Sequence, residues 1–228
     1  MGECLVLIPG LLSDETAWAG VRDRLGQGTV CDVTTQASLG EMAADILVRH
    51  PGVLAVAGHS MGARVALEIW RQAPARVARL ALLDTGIHAA TEAEKPARLR
   101  RIRLAHEAGM AALCEDWLPP MVHPDRLEDA GLMAPLRRMV QSMNPDIHER
   151  QIGALLARPG LRTLLPAITC KVLVAVGRQD RWSPVDQHME IASLIANARL
   201  VVIEDAGHFA PAERPDQVAD AMRDWLTA

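Results

Sequence analysis

Short apolar runs without polar alternation do most to restrict what this chain can form. Residues 4–8, 53–57, 80–83, 172–176 and 200–203 are unbroken stretches of apolar side chains, each closed by proline, glycine or an acidic residue. A strand with one wet face alternates apolar and polar positions, so a run without alternation reads as a strand covered on both faces. Helix-like segments lie between these runs, at Leu39–Arg49, 63–73, 184–194 and from 214 or 215 to 226. A weaker strand candidate at 29–34 brings the expected sheet to six strands. Strand and helix in alternation predict an α/β fold, a mostly parallel sheet flanked by helices.

The interval from 86 to 166 breaks that rhythm. It has helical patterns at 92–114, 124–143 and 145–157, with no convincing strand. About 80 residues is too long for a plain connection between strands. The expected organisation is a core of residues 1–85 and 167–228, with 86–166 inserted after the fourth strand as a helical cap, a lid over the strand ends. Its Leu, Met and Ala content predicts a pocket for apolar, small-to-medium acyl groups.

With 228 residues, half of them hydrophobic, the chain can bury a sizeable core. A net charge of -4, no tyrosine and a single phenylalanine argue against nucleic-acid partners. No apolar run approaches the roughly 20 residues of a spanning helix, and no signal peptide is recognised, so neither membrane insertion nor export is expected. Cys4, Cys31, Cys114 and Cys170 are scattered, which suits a reduced, cytoplasmic protein. The histidines lack metal-ligand spacing, and neither metal nor cofactor is expected.

The residues that carry chemistry sit where apolar runs stop. Gly58-His59-Ser60-Met61-Gly62 joins the 53–57 run to a helix-like segment. A serine between two such glycines, on a strand–turn–helix junction, reads as a nucleophile elbow. Asp180 follows the 172–176 run within Gly177-Arg178-Gln179-Asp180, and His208 follows the 200–203 run within Ala206-Gly207-His208-Phe209. Serine, acid and histidine therefore leave successive strand ends in that order. A serine hydroxyl needs a base, and the base needs an orienter. Those roles fall to Ser60, His208 and Asp180. An oxyanion would need pre-aimed donors. The backbone N–H of Met61 and that of Leu11, in the loop after residues 4–8, are the candidates.

On these motifs, together with Pro9-Gly10-Leu11 and Trp18, the chain resembles the α/β-hydrolase superfamily along essentially its whole length. It is most similar to the small capped carboxylesterases. The resemblance implies a serine hydrolase that cleaves a small-molecule ester through an acyl-enzyme, as a monomer or dimer. The same group holds thioester, perhydrolase, carbon–carbon bond and carrier-protein methyl ester chemistry, and a non-catalytic ligand receptor is a further alternative. There are two departures. Members usually carry His-Gly before the oxyanion residue, where this chain has Pro9-Gly10. Members also begin with two antiparallel strands, whereas the first run here is already the parallel one.

Other residues carry competing readings. Asp84 ends a strand, where a few relatives place the acid, but a capping or turn-forming role is expected of it. His59 is expected to pack beneath the elbow, and Trp18 and Trp70 to pack in the core. Trp117, Trp182 and Phe209, with Leu118 and Met121, are either acyl-pocket lining or core. Lys95, Arg98, Arg100, Arg101 and Arg103 form a basic cluster. Its default reading is a solvated helix face, and the sharper one is a docking patch for an acidic partner such as an acyl carrier protein.

Overall fold

The computed structural model describes residues 2–227. In chain order the elements are β1 (Cys4–Ile8), α1 (Ala19–Leu25), β2 (Thr29–Val30), α2 (Leu39–Arg49), β3 (Leu54–His59), α3 (Met61–Gln72) and β4 (Val77–Leu83). Three helices follow, α4 (Lys95–Trp117), α5 (Ala130–Ser142) and α6 (Pro145–Leu156). The chain then returns as β5 (Lys171–Gly177), α7 (Val185–Leu194), β6 (Ala198–Ile203), α8 (Ala210–Glu213) and α9 (Pro215–Thr227).

The six strands form one all-parallel sheet in the order β2-β1-β3-β4-β5-β6. Its central strands are the unalternated runs. All six residues of β3 are buried, as are six of the seven in β5. Burying a Leu, Ile or Val side chain stabilises by about 1.5–3 kcal/mol, so these strands anchor the core. The outermost strands differ. β6 is half-buried over most of its length, and β2 shrinks to two residues paired with Val6 and Leu7. The 29–34 candidate is therefore corrected: beyond Val30 the chain leaves the sheet.

The strand order decides where the loops open. From β1 the chain steps outward to β2, then reverses past β1 to β3 and continues in one direction to β6. Right-handed crossovers put connections of opposite direction on opposite faces. Accordingly α1 packs with α9, while α2 packs with α3. The loops after β1 and β3 therefore diverge to opposite faces, and a crevice opens at the carboxyl ends of those strands. Leu11 and Ser60 lie on those two loops.

Segment 86–166 holds α4, α5 and α6 and, among the described residues, no strand. Asp129 caps α5 through the Gly131 and Leu132 N–H groups, and Asn144 caps α6 with Pro145 following. These caps correct the 124–143 expectation: a 3₁₀ turn comes first and the α-helix starts at Ala130. α4 is kinked at Gly109, whose φ of 83° and ψ of 173° interrupt the helix. Helix α1, a seven-residue element capped by left-handed Gly26, was not anticipated.

Candidate active site

Ser60 sits between β3 and α3 with φ 55° and ψ -115°, a strained conformation for a residue with a Cβ. Its neighbours make the strain tolerable. A Cβ on Gly58 would fall on the Gly62 carbonyl, and one on Gly62 would fall on the carbonyl of Ile8. The turn is then held by hydrogen bonds. Ser60 N–H donates to the Leu83 carbonyl at 2.8 Å, and the Thr85 hydroxyl donates to the Ser60 carbonyl at 3.0 Å. Thr85 is itself fixed, its N–H donating to His188 Nε2 at 2.8 Å.

Ser60 Oγ lies 2.8 Å from His208 Nε2, and His208 Nδ1 lies 2.8 Å from Asp180 Oδ2. The other Asp180 oxygen accepts from Trp182 N–H at 2.8 Å and Ser183 N–H at 2.9 Å. Burial alone would raise this carboxyl, but the His208 charge and hydrogen bond, with the Ser183 and Trp182 N–H groups, hold it below its ordinary value. A buried carboxylate so held stays ionised and orients the imidazole.

Asp84 takes a different place. It is fully buried with φ 48°, and its Oδ1 accepts from Gly177 N–H at 2.8 Å. It ties β4 to the end of β5, a turn-supporting role. Burial and then the Asp180 charge push its carboxyl well above the ordinary range. His59 lies beneath the elbow, its Nε2–H donating to the His208 carbonyl at 2.6 Å. Burial, with the His208 charge second, lowers its pKa to about 3, so it is a neutral support.

The loop bearing His208 is shaped by contacts that single residues do not advertise. His208 N–H donates to the Met121 carbonyl at 2.7 Å. Glu213 accepts from Gly207 N–H at 2.9 Å and Phe209 N–H at 3.2 Å through one oxygen, and from His123 N–H at 2.9 Å through the other. The one available signal was a carboxylate within an otherwise apolar turn, Ala210 to Ala212, five residues past the histidine. On the opposite side, the β1 loop is braced by Ser13 Oγ donating to the Leu11 carbonyl at 3.0 Å and by Leu12 N–H donating to Gln151 Oε1 at 2.9 Å. Leu12 N–H is thereby occupied, whereas Leu11 and Met61 both line the crevice beside Ser60.

That crevice is a cavity of about 370 Å³. Ser60 and His208 line it, and so do Trp117, Trp182, Phe209 and Met121. The Trp117 ring meets Phe209 edge-on with centroids 6.1 Å apart, and Trp182 Nε1 lies 3.1 Å from the Met121 sulfur. Trp18 and Trp70 are buried in the core. The expectation of an apolar wall needs correction, because Arg64, Arg98, Arg101, Arg158 and His148 also line it. Nor is the basic cluster one solvated face. Arg100 and Arg101 both bond Asp116, and Arg98 bonds Glu94, with Arg98 and Arg101 on the cavity wall. Arg64 and His148 carried no sequence signal, since only packing turns them toward the cavity.

Comparison with known proteins places this geometry. The model of the alpha/beta hydrolase family matches residues 5–221. N-formylmaleamate deformylase of Pseudomonas putida is 26% identical, covering 99% of this chain and 89% of that protein. Pimeloyl-[acyl-carrier protein] methyl ester esterase of Nitrosomonas europaea is 27% identical, covering 95% and 92%. Among solved structures, a thermophilic esterase from Thermogutta terrifontis, with malate bound, superposes with a TM-score of 0.91 at 28% identity, covering 100% of this chain and 90% of that one. The enol-lactonase from Burkholderia xenovorans shares the fold with a TM-score of 0.86 at 23% identity, covering 100% and 93%. With the family model spanning nearly the whole chain, this protein belongs to the alpha/beta hydrolase family and is an enzyme of that family.

Proposed function

We propose that this enzyme hydrolyses carboxylic esters through an acyl intermediate on Ser60. The supporting observation is the unbroken series from Ser60 Oγ to His208 to Asp180, with both links at 2.8 Å. In this reading His208 takes the serine proton as Oγ attacks the ester carbonyl. Asp180 fixes the imidazole tautomer and stabilises the imidazolium. The oxyanion accepts from the N–H groups of Met61 and Leu11. His208 returns the proton to the departing alcohol, and water, activated by the same imidazole, then releases the acid. Segment 86–166 acts as the lid that selects the acyl group, with Trp117, Trp182 and Phe209 in its pocket.

A fluorophosphonate probe tests the nucleophile, because it captures an activated serine whatever the substrate. The expected result is stoichiometric labelling of the wild type at Ser60 and none of Ser60→Ala. An unlabelled wild type would sink the reading. A screen over p-nitrophenyl esters, methyl esters and thioesters, with Ser60→Ala as the blank, then defines the bond cleaved, since fold and triad do not choose it. The names of the relatives, a deformylase, a methyl ester esterase and an enol-lactonase, are why the screen must reach beyond simple esters.

A further inference from the structure

We propose that the cavity beside Ser60 accepts a substrate bearing a carboxylate besides its scissile ester, and that Arg64 binds that carboxylate. The ester part of this statement rests on the function proposed above; the anion site rests on the wall itself.

Arg64 lies one helical turn beyond Ser60 in α3 and lines the same cavity. It is buried, and its Nη2 donates to the His88 carbonyl at 3.1 Å. Its Nη1 has no acceptor among the described residues. Among the described residues no carboxylate is bonded to it, and a buried cation without a bonded counter-charge is costly for a fold to retain.

Among the neighbouring charges Glu94 favours the cation, but Arg158 and Arg98 oppose it. Four arginines line the cavity against one carboxylate, Glu94. Glu94 is already engaged by Arg98 at 2.9 Å and by Arg158 at 2.7 and 3.1 Å. Arg101 is held by Asp116 at 2.8 Å, outside the wall, and its guanidinium lies 5.4 Å from the centre of the Trp182 ring. The wall therefore carries positive charge that no protein carboxylate balances.

His148 adds a second donor. It is fully buried on the same wall, and neither ring nitrogen has a protein partner among the described residues. Burial, then Arg101 and Arg98, lower it to about 4, so it presents one N–H as a neutral imidazole. A guanidinium with one unpaired nitrogen, on the same wall as a neutral donor, suits a planar monoanion. A carboxylate meets Arg side-on with paired N–H···O bonds, which fixes orientation as well as charge.

The test compares kcat/KM for the monomethyl esters of succinate, glutarate and adipate with the uncharged methyl esters of equal length. The wild type is expected to favour at least one charged ester by roughly tenfold or more. Arg64→Gln should erase that preference, chiefly through KM, and Arg64→Lys should keep part of it. Arg199→Gln, at an exposed position of β6 and paired with Asp224, is the control that leaves both substrate classes unchanged. Equal use of charged and uncharged esters by the wild type, or a preference surviving in Arg64→Gln, overturns the proposal.

Binding without turnover separates the two readings. Glutarate and succinate should raise the melting temperature of Ser60→Ala but not of Ser60→Ala with Arg64→Gln. No stabilisation by either, or stabilisation by inorganic phosphate instead, counts against a carboxylate site. Dicarboxylate binding in a protein that no fluorophosphonate labels would leave the anion site standing and remove the esterase reading. Should Arg64→Gln not fold, the wild-type preference and the Arg64→Lys variant still decide.

Discussion

The two sides of the cavity differ in how far their polar groups are engaged, although His59 Nδ1 and Asp84 Oδ2 on the sheet side also lack a partner among the described residues. On the sheet side, the groups around Ser60 are engaged in series: Ser60 with His208, His208 with Asp180, Asp180 with two N–H groups, and the His208 carbonyl with His59. On the wall made by α3, α4 and α6, Arg64 Nη1 and both His148 nitrogens find no protein partner. A paired network is rigid and suits a reaction whose groups must not move. An unpaired, buried cationic wall is incomplete by itself and suits recognition. In the reading proposed above, chemistry belongs to the strand ends and substrate selection to the wall of α3, α4 and α6.

The largest expected effect probes the paired side. Asp180→Asn should lower kcat by about 10³–10⁴ through the wrong imidazole tautomer. Asp84→Asn, which still offers an acceptor to Gly177, should stay within about tenfold of wild type. Equal losses in the two variants would merge the two carboxylates' roles and break the comparison.

Packing gives the next contrast. Gly62→Ala drives a Cβ onto the Ile8 carbonyl, two backbone segments of the rigid side, and should cost about 3 kcal/mol or more. Gly109→Ala meets open space and bears only the strain of φ 83°, about 1–2 kcal/mol. Urea unfolding midpoints read both, and the reverse order would show that the helical segment is the stiffer region.

The smallest effect concerns pH. His59 and His148 have folded pKa values lowered from 6.5 to about 3 and about 4, so the unfolded chain takes up their protons first. The stability gained by keeping them neutral is fully present above pH 6.5 and is lost as pH falls toward 4 for His148 and 3 for His59. His148→Phe should therefore flatten the decline of melting temperature between pH 6.5 and 4 by several degrees, without loss at neutral pH. His59→Phe should instead lower stability at neutral pH, because it leaves the His208 carbonyl without its donor. If both substitutions behaved alike, the distinction between paired and unpaired sides would lose its support.

Legibility in the sequence divides along the same line. Ser60, Asp180 and His208 could be read because each follows an apolar run at a glycine-marked turn, and parallel topology gathers strand ends. The ends of β3, β4 and β5 moved by only a few residues from their apolar runs. β2 was overread since an edge strand is limited by its one neighbour. The kink in α4 was missed because Gly109 sits inside an otherwise continuous helical pattern.

Local rules therefore carried the sheet, the elbow and the chain order of its partners. Strand burial, a glycine-flanked turn and a crossover direction depend on neighbouring residues and on handedness. Tertiary structure alone decided that Asp84 meets the Gly177 N–H, and that Arg64 and His148 share a wall with Ser60. Those outcomes turn on which side chains distant segments bring together, and on where a desolvated charge finds no partner. No local pattern encodes either.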